Sequence, residues 1–251
     1  MDSEMPPQEN LVTFGIPGID KLLGGGIRRG TTCLIEELHG ESSGLSGLAG
    51  MIFLLTGVQR GDGAVLMLSE HTVTEFRDLP GTKQLLAIAK PNQFFFMDAL
   101  SSMTYGEPIT HPEDDERGII RCSNVRYDAK FYEEWRNTVS QLEHPLMYID
   151  SLSVLLHAME SDKAAWRFWL SLLPLIRHRQ LTVVGSFYPQ MHSPAFVESI
   201  ERICDTIIQF TSEPTPDGTT QRLVQVVKNR GINFDERKHP YSIEDFSIMV
   251  S

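Results

Sequence analysis

Six short apolar runs, separated by segments with helical periodicity, constrain this chain more than any other feature of it. They are Thr31 to Ile35, Ala64 to Leu68, Phe94 to Met97, Leu146 to Ile149, Leu181 to Ser186 and Thr206 to Phe210. A run of this kind has no polar face, so a strand made from it must be covered on both sides. Helical patterns at Gly44 to Gln59, Lys83 to Ala89, Lys130 to Glu143, Ala164 to Arg179 and Pro194 to Ile203 lie between most of the runs. That alternation predicts an α/β fold with a mostly parallel central sheet, right-handed crossovers and flanking helices. Leu223 to Lys228 and Ser247 to Val250 follow one another through turns and predict an antiparallel C-terminal edge. No internal repeat or domain-length linker interrupts the pattern. One domain over residues 11–251 is expected, behind an acidic, proline-bearing mobile leader at residues 1–10.

Breakers and charge set further limits. The polar stretch from Thr104 to Arg126 contains Glu113-Asp114-Asp115-Glu116, with Pro108 and Pro112 breaking any helix, and reads as a solvated, mobile loop. Glu213-Pro214-Thr215-Pro216-Asp217-Gly218 reads as a turn. A formal charge of −11 and a pI near 5.2 disfavour a nucleic-acid footprint of the chain's own. The basic groups Arg28-Arg29, Arg177-His178-Arg179 and Arg237-Lys238 read as solvated or helix-end charges. Cys33, Cys122 and Cys204 form no C-x-x-C pair, which suggests neither a disulfide framework nor a zinc site. No apolar run reaches the roughly 18 residues of a membrane span, and no signal peptide is legible, so a cytoplasmic protein is expected. His39, His178 and His192 lack metal-ligand spacing, and Ser153, Ser186 and Ser193 lack a nucleophile-elbow context. Trp135, Trp166, Trp169 and Phe168 read as packing residues on helices.

The segment Thr13-Phe14-Gly15-Ile16-Pro17-Gly18-Ile19-Asp20-Lys21-Leu22-Leu23-Gly24-Gly25-Gly26-Ile27-Arg28-Arg29-Gly30, running into the first apolar strand, closely resembles the entry segment of the KaiC and RadA branch of RecA-like ATPases. The resemblance implies that fold, and a G-x-x-x-x-G-K-[ST] loop whose amides and lysine hold phosphates. Here the loop reads Glu36-Glu37-Leu38-His39-Gly40-Glu41-Ser42-Ser43-Gly44-Leu45-Ser46, and from Gly30 to Gln59 there is no lysine or arginine. If the preceding strand sets the register, Ser43 takes the lysine position; if the following helix does, Leu45 takes it. Glu36, Glu37 and Glu41 lie in or beside the turn. A like charge about 5 Å from a phosphate costs about 3 kcal/mol at an effective dielectric near 20. A lost lysine contact adds about 1.5 to 3 kcal/mol. The degenerate loop of His39, Gly40, Glu41, Ser42, Ser43 and Gly44 is therefore not expected to take a cofactor tightly. Glycine amides and the helix N-terminus leave weak binding of ATP and magnesium open.

Three more segments carry the resemblance. Leu146-Met147-Tyr148-Ile149-Asp150-Ser151-Leu152 resembles the Walker B strand, whose aspartate helps place magnesium; a cap on the next turn by Asp150 or Ser151 is the alternative. Leu66-Met67-Leu68-Ser69-Glu70-His71 resembles the strand that ends in paired glutamates, with Glu70 matching one and His71 replacing the other. Val226-Val227-Lys228-Asn229-Arg230-Gly231, followed by Tyr241-Ser242-Ile243, resembles the ending from which a lysine and an arginine reach a neighbouring subunit's phosphates. Lys228 and Arg230 are the matching residues; the alternative is two charges on one face of an edge strand, meeting water. Leu34-Ile35-Glu36-Glu37 after a triple glycine is also similar to the RecA-like subunits of Elongator, which keep the fold without the loop lysine. Archaeal motility ATPases of the KaiC class are similar around Ile35 to Gly40 but keep the loop. The implied functions are three. The first is a non-catalytic RecA-fold scaffold or regulator that assembles with itself or with a RecA-like partner. The second is an Elongator-like assembly binding transfer RNA, and the third a weak ATP-dependent enzyme using Asp150 and Glu70.

Overall fold

Side chains alternate between the two faces of a strand, and in the central strands of this protein both sets are apolar. The computed structural model describes residues 10–38, 44–105, 118–125, 128–244 and 247–251. In chain order they form β1 (Leu11–Val12), α1 (Pro17–Leu22), β2 (Ile27–Arg28), β3 (Thr32–Glu37), α2 (Leu45–Arg60), β4 (Ala64–Leu68), α3 (Val73–Asp78), α4 (Pro80–Ile88), β5 (Phe94–Asp98) and α5 (Leu100–Tyr105). There follow β6 (Ile119–Arg121), α6 (Asp128–Ser140), β7 (Leu146–Asp150), α7 (Leu152–His157), α8 (Asp162–His178), β8 (Thr182–Phe187), α9 (Pro194–Ile203), β9 (Thr206–Pro214), β10 (Thr220–Asn229), β11 (His239–Glu244) and β12 (Ser247–Val250).

One ten-stranded sheet runs in the order β12-β11-β10-β9-β3-β8-β7-β4-β5-β6, and β1 and β2 make a separate ribbon. From β9 to β6 every neighbouring pair is parallel. The last strands, β10 to β12, pair antiparallel. In β4, Ala64, Leu66 and Leu68 enter the core layer shared with α2, while Val65 and Met67 enter the layer shared with α6 and α8. The expected two-sided sheet with an antiparallel C-terminal edge is therefore the observed one. Trp135, Phe168 and Trp169 are buried in the second layer, and Trp166 packs partly buried against it.

The entry segment and the final strands are built against each other. Asp20 accepts from the amides of Phe14 (2.6 Å) and Gly15 (3.0 Å), closing the turn into α1. The triple glycine that follows has φ of 74°, 113° and 137°, a path only glycine follows without strain. Asn229, at the end of β10, donates to the carbonyls of Leu23 (2.8 Å) and Gly26 (3.1 Å) and fastens that turn to the sheet.

Several expectations need correction. The Thr104 to Arg126 stretch contains β6, which pairs with β5, and Cys122 and Val125 behind it are buried; residues 106–117, with the acidic run, lie outside the described residues. β10 is not an edge strand, since β9 and β11 flank it. The turn after β9 begins later than expected, as Pro214 still pairs with Thr220. Residues 1–9 of the expected leader lie outside the described residues, but Asn10 is held, its carbonyl accepting from the Arg29 amide at 3.0 Å.

Candidate functional site

In open sheets of this kind ligands bind at the carboxyl ends of the parallel strands. There β3, β4, β7 and β8 bring Glu37, Glu70, Asp150 and Tyr188 towards the N-terminus of α2. The loop residues His39, Gly40, Glu41, Ser42 and Ser43 lie outside the described residues. Gly44 is described: it starts α2 with φ 111° and offers no side-chain cap.

Glu36 and Glu37 do not share the cleft, because adjacent strand residues point to opposite faces. Glu37, only 3% exposed, accepts from the Ser46 amide in the first turn of α2 at 2.7 Å. A carboxylate of the chain's own thus meets a helix-start amide of the kind that binds phosphate in a nucleotide loop. Glu36 turns to the other layer, accepts from Gln209 at 2.8 Å and lies beside Glu201. Burial pushes Glu36 up to about 7, and burial also raises Glu201. Leu45, in the helix-set lysine position, is buried in the apolar core.

Asp150, at the end of β7, is 3% exposed. One of its oxygens meets His71 Nδ1 at 2.7 Å, and the other accepts from the Tyr148 hydroxyl at 3.2 Å. The hydrogen bond to Asp150 raises the His71 pKa above its ordinary value. Ser151, joined to Asp150 by a cis peptide, caps α7 by accepting from the Val154 amide at 3.1 Å, so the capping role falls on the serine. Glu70 is exposed beside this pair and acts electrostatically on His71 and Tyr188. Tyr188, just beyond β8, lies against Ser46 and feels Glu37, Glu70 and Asp150; burial above all pushes its hydroxyl up to about 12. Tyr148 is fully buried, and burial raises its hydroxyl as well.

Tyr148, Tyr188 and Ser46 went unnoticed in the sequence. Period two places Tyr148 on the same face as Asp150, which was a usable signal; Tyr188 joins them only through the order of strands. Structure also brings together Ser153 and His192, whose Nε2 lies 3.0 Å from the serine oxygen. Ser153 is fully buried and accepts from the Tyr188 amide at 2.8 Å, while Asp162 accepts from Ser193, so this is a packing contact and not a nucleophile.

Lys228 and Arg230 lie away from the cleft. After a register shift at Val227, the Lys228 ammonium donates to the carbonyls of Glu201 (2.9 Å) and Arg202 (3.1 Å) in the last turn of α9. Burial lowers its pKa, and Arg230 adds to the effect. Arg230 pairs with Asp205 at 3.2 Å, its side chain 44% exposed. Among the described residues no group of three or more His, Cys, Asp or Glu has a metal-holding arrangement, and no helix is long and apolar enough to cross a membrane.

A family model described as "ATPase: KaiC" matches residues 12–251. UPF0273 protein PH0284 of Pyrococcus horikoshii is 26% identical over 243 residues, covering 95% of this chain and 93% of its own. UPF0273 protein PF1931 of Pyrococcus furiosus is 25% identical over 247 residues with the same coverages. Among solved structures, the KaiC-like protein PH0186 of Pyrococcus horikoshii superposes with a TM-score of 0.71 at 20% identity, over 96% of this chain and 98% of that one.

Proposed function

Because the chain belongs to the KaiC family of ATPases, we propose that it is a RecA-fold subunit whose nucleotide site is filled by its own side chains, and that it serves as a scaffold or regulator in a homo- or hetero-oligomer. The contact between Glu37 and the Ser46 amide carries this reading. A phosphate arriving there must displace a charge-assisted hydrogen bond worth about 1.5 to 3 kcal/mol. It must also approach a carboxylate that repels it by about 3 kcal/mol at 5 Å. The lysine that offsets such costs is missing in either register, with Ser43 or the buried Leu45 at its position. On the metal side, Asp150 is already satisfied by His71 and Tyr148. A carboxylate meets the helix-start amide in place of phosphate, and an imidazole meets Asp150 in place of magnesium.

An assembly role follows from what the fold keeps. RecA-like domains associate head to tail, and such contacts close into rings or extend into filaments. Arg230 retains an exposed guanidinium for a neighbour's carboxylate or phosphate; a similar role for Lys228 requires it to leave the α9 carbonyls. A weak ATP-dependent enzyme would need Asp150 to exchange His71 for magnesium.

Light scattering at micromolar concentration, with and without Mg-ATP, tests the proposal together with a phosphate-release assay. The expected result is a mass above the monomer that ATP does not change, and no release above buffer. A monomer with no co-purifying RecA-like partner, or phosphate release abolished by Asp150→Ala, contradicts it.

A further inference from the structure

The amino ends of the same strands hold a second feature, at the opposite end of the sheet from the cleft. A cavity of about 420 Å³ opens between the residues that precede β3, β8 and β9 and the residue that follows β10. Four arginines line it, Arg28, Arg29, Arg177 and Arg230, against one acidic residue, Asp205. They come from the end of β2 and the β2–β3 connection, the last turn of α8 and the residue after β10, so only the fold assembles them. The length of β3 separates this cavity from Glu37 by about 20 Å.

The charges are only partly answered. Asp205 pairs with Arg230 at 3.2 Å and accepts from the Thr32 amide at the same distance, so it is fully engaged. Asp62 takes Arg29 Nη2 at 2.8 Å but is shared with Arg60. Arg29 Nη1 is buried with no hydrogen-bond partner. Neither Arg28 nor Arg177 has an ion-pair partner among the described residues. The Arg28 guanidinium lies beside Gly231, where a β-carbon would come within 3.3 Å of it. Gln180 closes another side, approaching Gly30 so nearly that a β-carbon there would stand 2.9 Å from its amide nitrogen. In a chain of formal charge −11, this is a local concentration of the opposite sign.

We infer that this cavity is a binding site for a short oligophosphate, either free or as the phosphate tail of a nucleotide. Guanidinium forks match phosphate oxygens in pairs, and several forks facing one cavity suit an anion of more than one charge. The volume falls within the range of small-molecule sites and exceeds the need of a single ion. The site is independent of the cleft, needs no magnesium, and stands whether or not the cleft takes nucleotide.

Calorimetric titration of the full chain with sodium tripolyphosphate in EDTA tests it, with ATP and adenosine as parallel arms. Saturable binding of tripolyphosphate is expected, weakened at least tenfold in Arg28→Gln/Arg177→Gln and unchanged in Asp150→Ala. ATP matching tripolyphosphate identifies the free anion as sufficient, ATP binding more tightly identifies a nucleotide tail, and both support the site. Arg177→Gln alone, at an exposed helix end, guards against a folding defect and is expected to weaken binding severalfold. No saturable tripolyphosphate binding, equal affinity in the arginine variants, or equal binding of adenosine overturns the inference.

Discussion

Single residues decide the chemistry of the cleft, and the neighbours Glu36 and Glu37 show how. Sequence counted both as repelling a phosphate, yet strand parity sends them to opposite layers. Glu37 becomes the anion at the α2 start, while Glu36 becomes a buried carboxyl beside Glu201. A folded-state pKa of about 7, above the ordinary 4.5, means the native state holds its proton longer than the unfolded chain. The associated stability is complete below about pH 4.5 and is lost as pH rises through 7. Glu36→Gln keeps an acceptor for Gln209 without the charge, so it should be near neutral at pH 5. It should stabilise the protein by on the order of 1 to 3 kcal/mol at pH 8. Urea midpoints at the two pH values read the difference, and an identical pH trend in both proteins would refute this account of Glu36. The parity was available in the sequence; Glu201, from a distant helix, was not.

Among the elements, the long ones were legible and the short ones were not. β4, α9 and β12 begin and end where the pattern placed them, and α2 is displaced by one residue. Six-residue helices such as α1, α3 and α7 are too short for a periodic signal; α3 rests instead on a capping box between Thr72 and Glu75. β6 was hidden because charge and proline surround a strand of three residues. The final motif drew attention for Lys228 and Arg230, while the residue between them holds two elements together. Asn229 joins β10 to the triple-glycine turn and accepts from Thr206 at 3.0 Å. Asn229→Ala leaves two carbonyls buried without donors, and a loss of about 2 to 4 kcal/mol is expected in urea unfolding at neutral pH. A loss below about 0.5 kcal/mol would show that water replaces the amide without cost.

At the scale of the whole molecule, one sheet offers opposite electrostatics at its two ends. Glu37, Glu70 and Asp150 gather at the carboxyl ends, and under-paired arginines gather at the amino ends. The first is legible in the sequence because a familiar motif is broken there. Arg28-Arg29 and Arg177 read as surface charge because nothing local shows that they converge. The account turns on the cleft being closed by Glu37 and His71. The most direct measurement is calorimetric titration with Mg-ATP, against ATP in EDTA, in the Arg28→Gln/Arg177→Gln background, where the far cavity is weakened. The account predicts no magnesium-dependent heat; saturable, magnesium-dependent binding that Asp150→Ala weakens would contradict it.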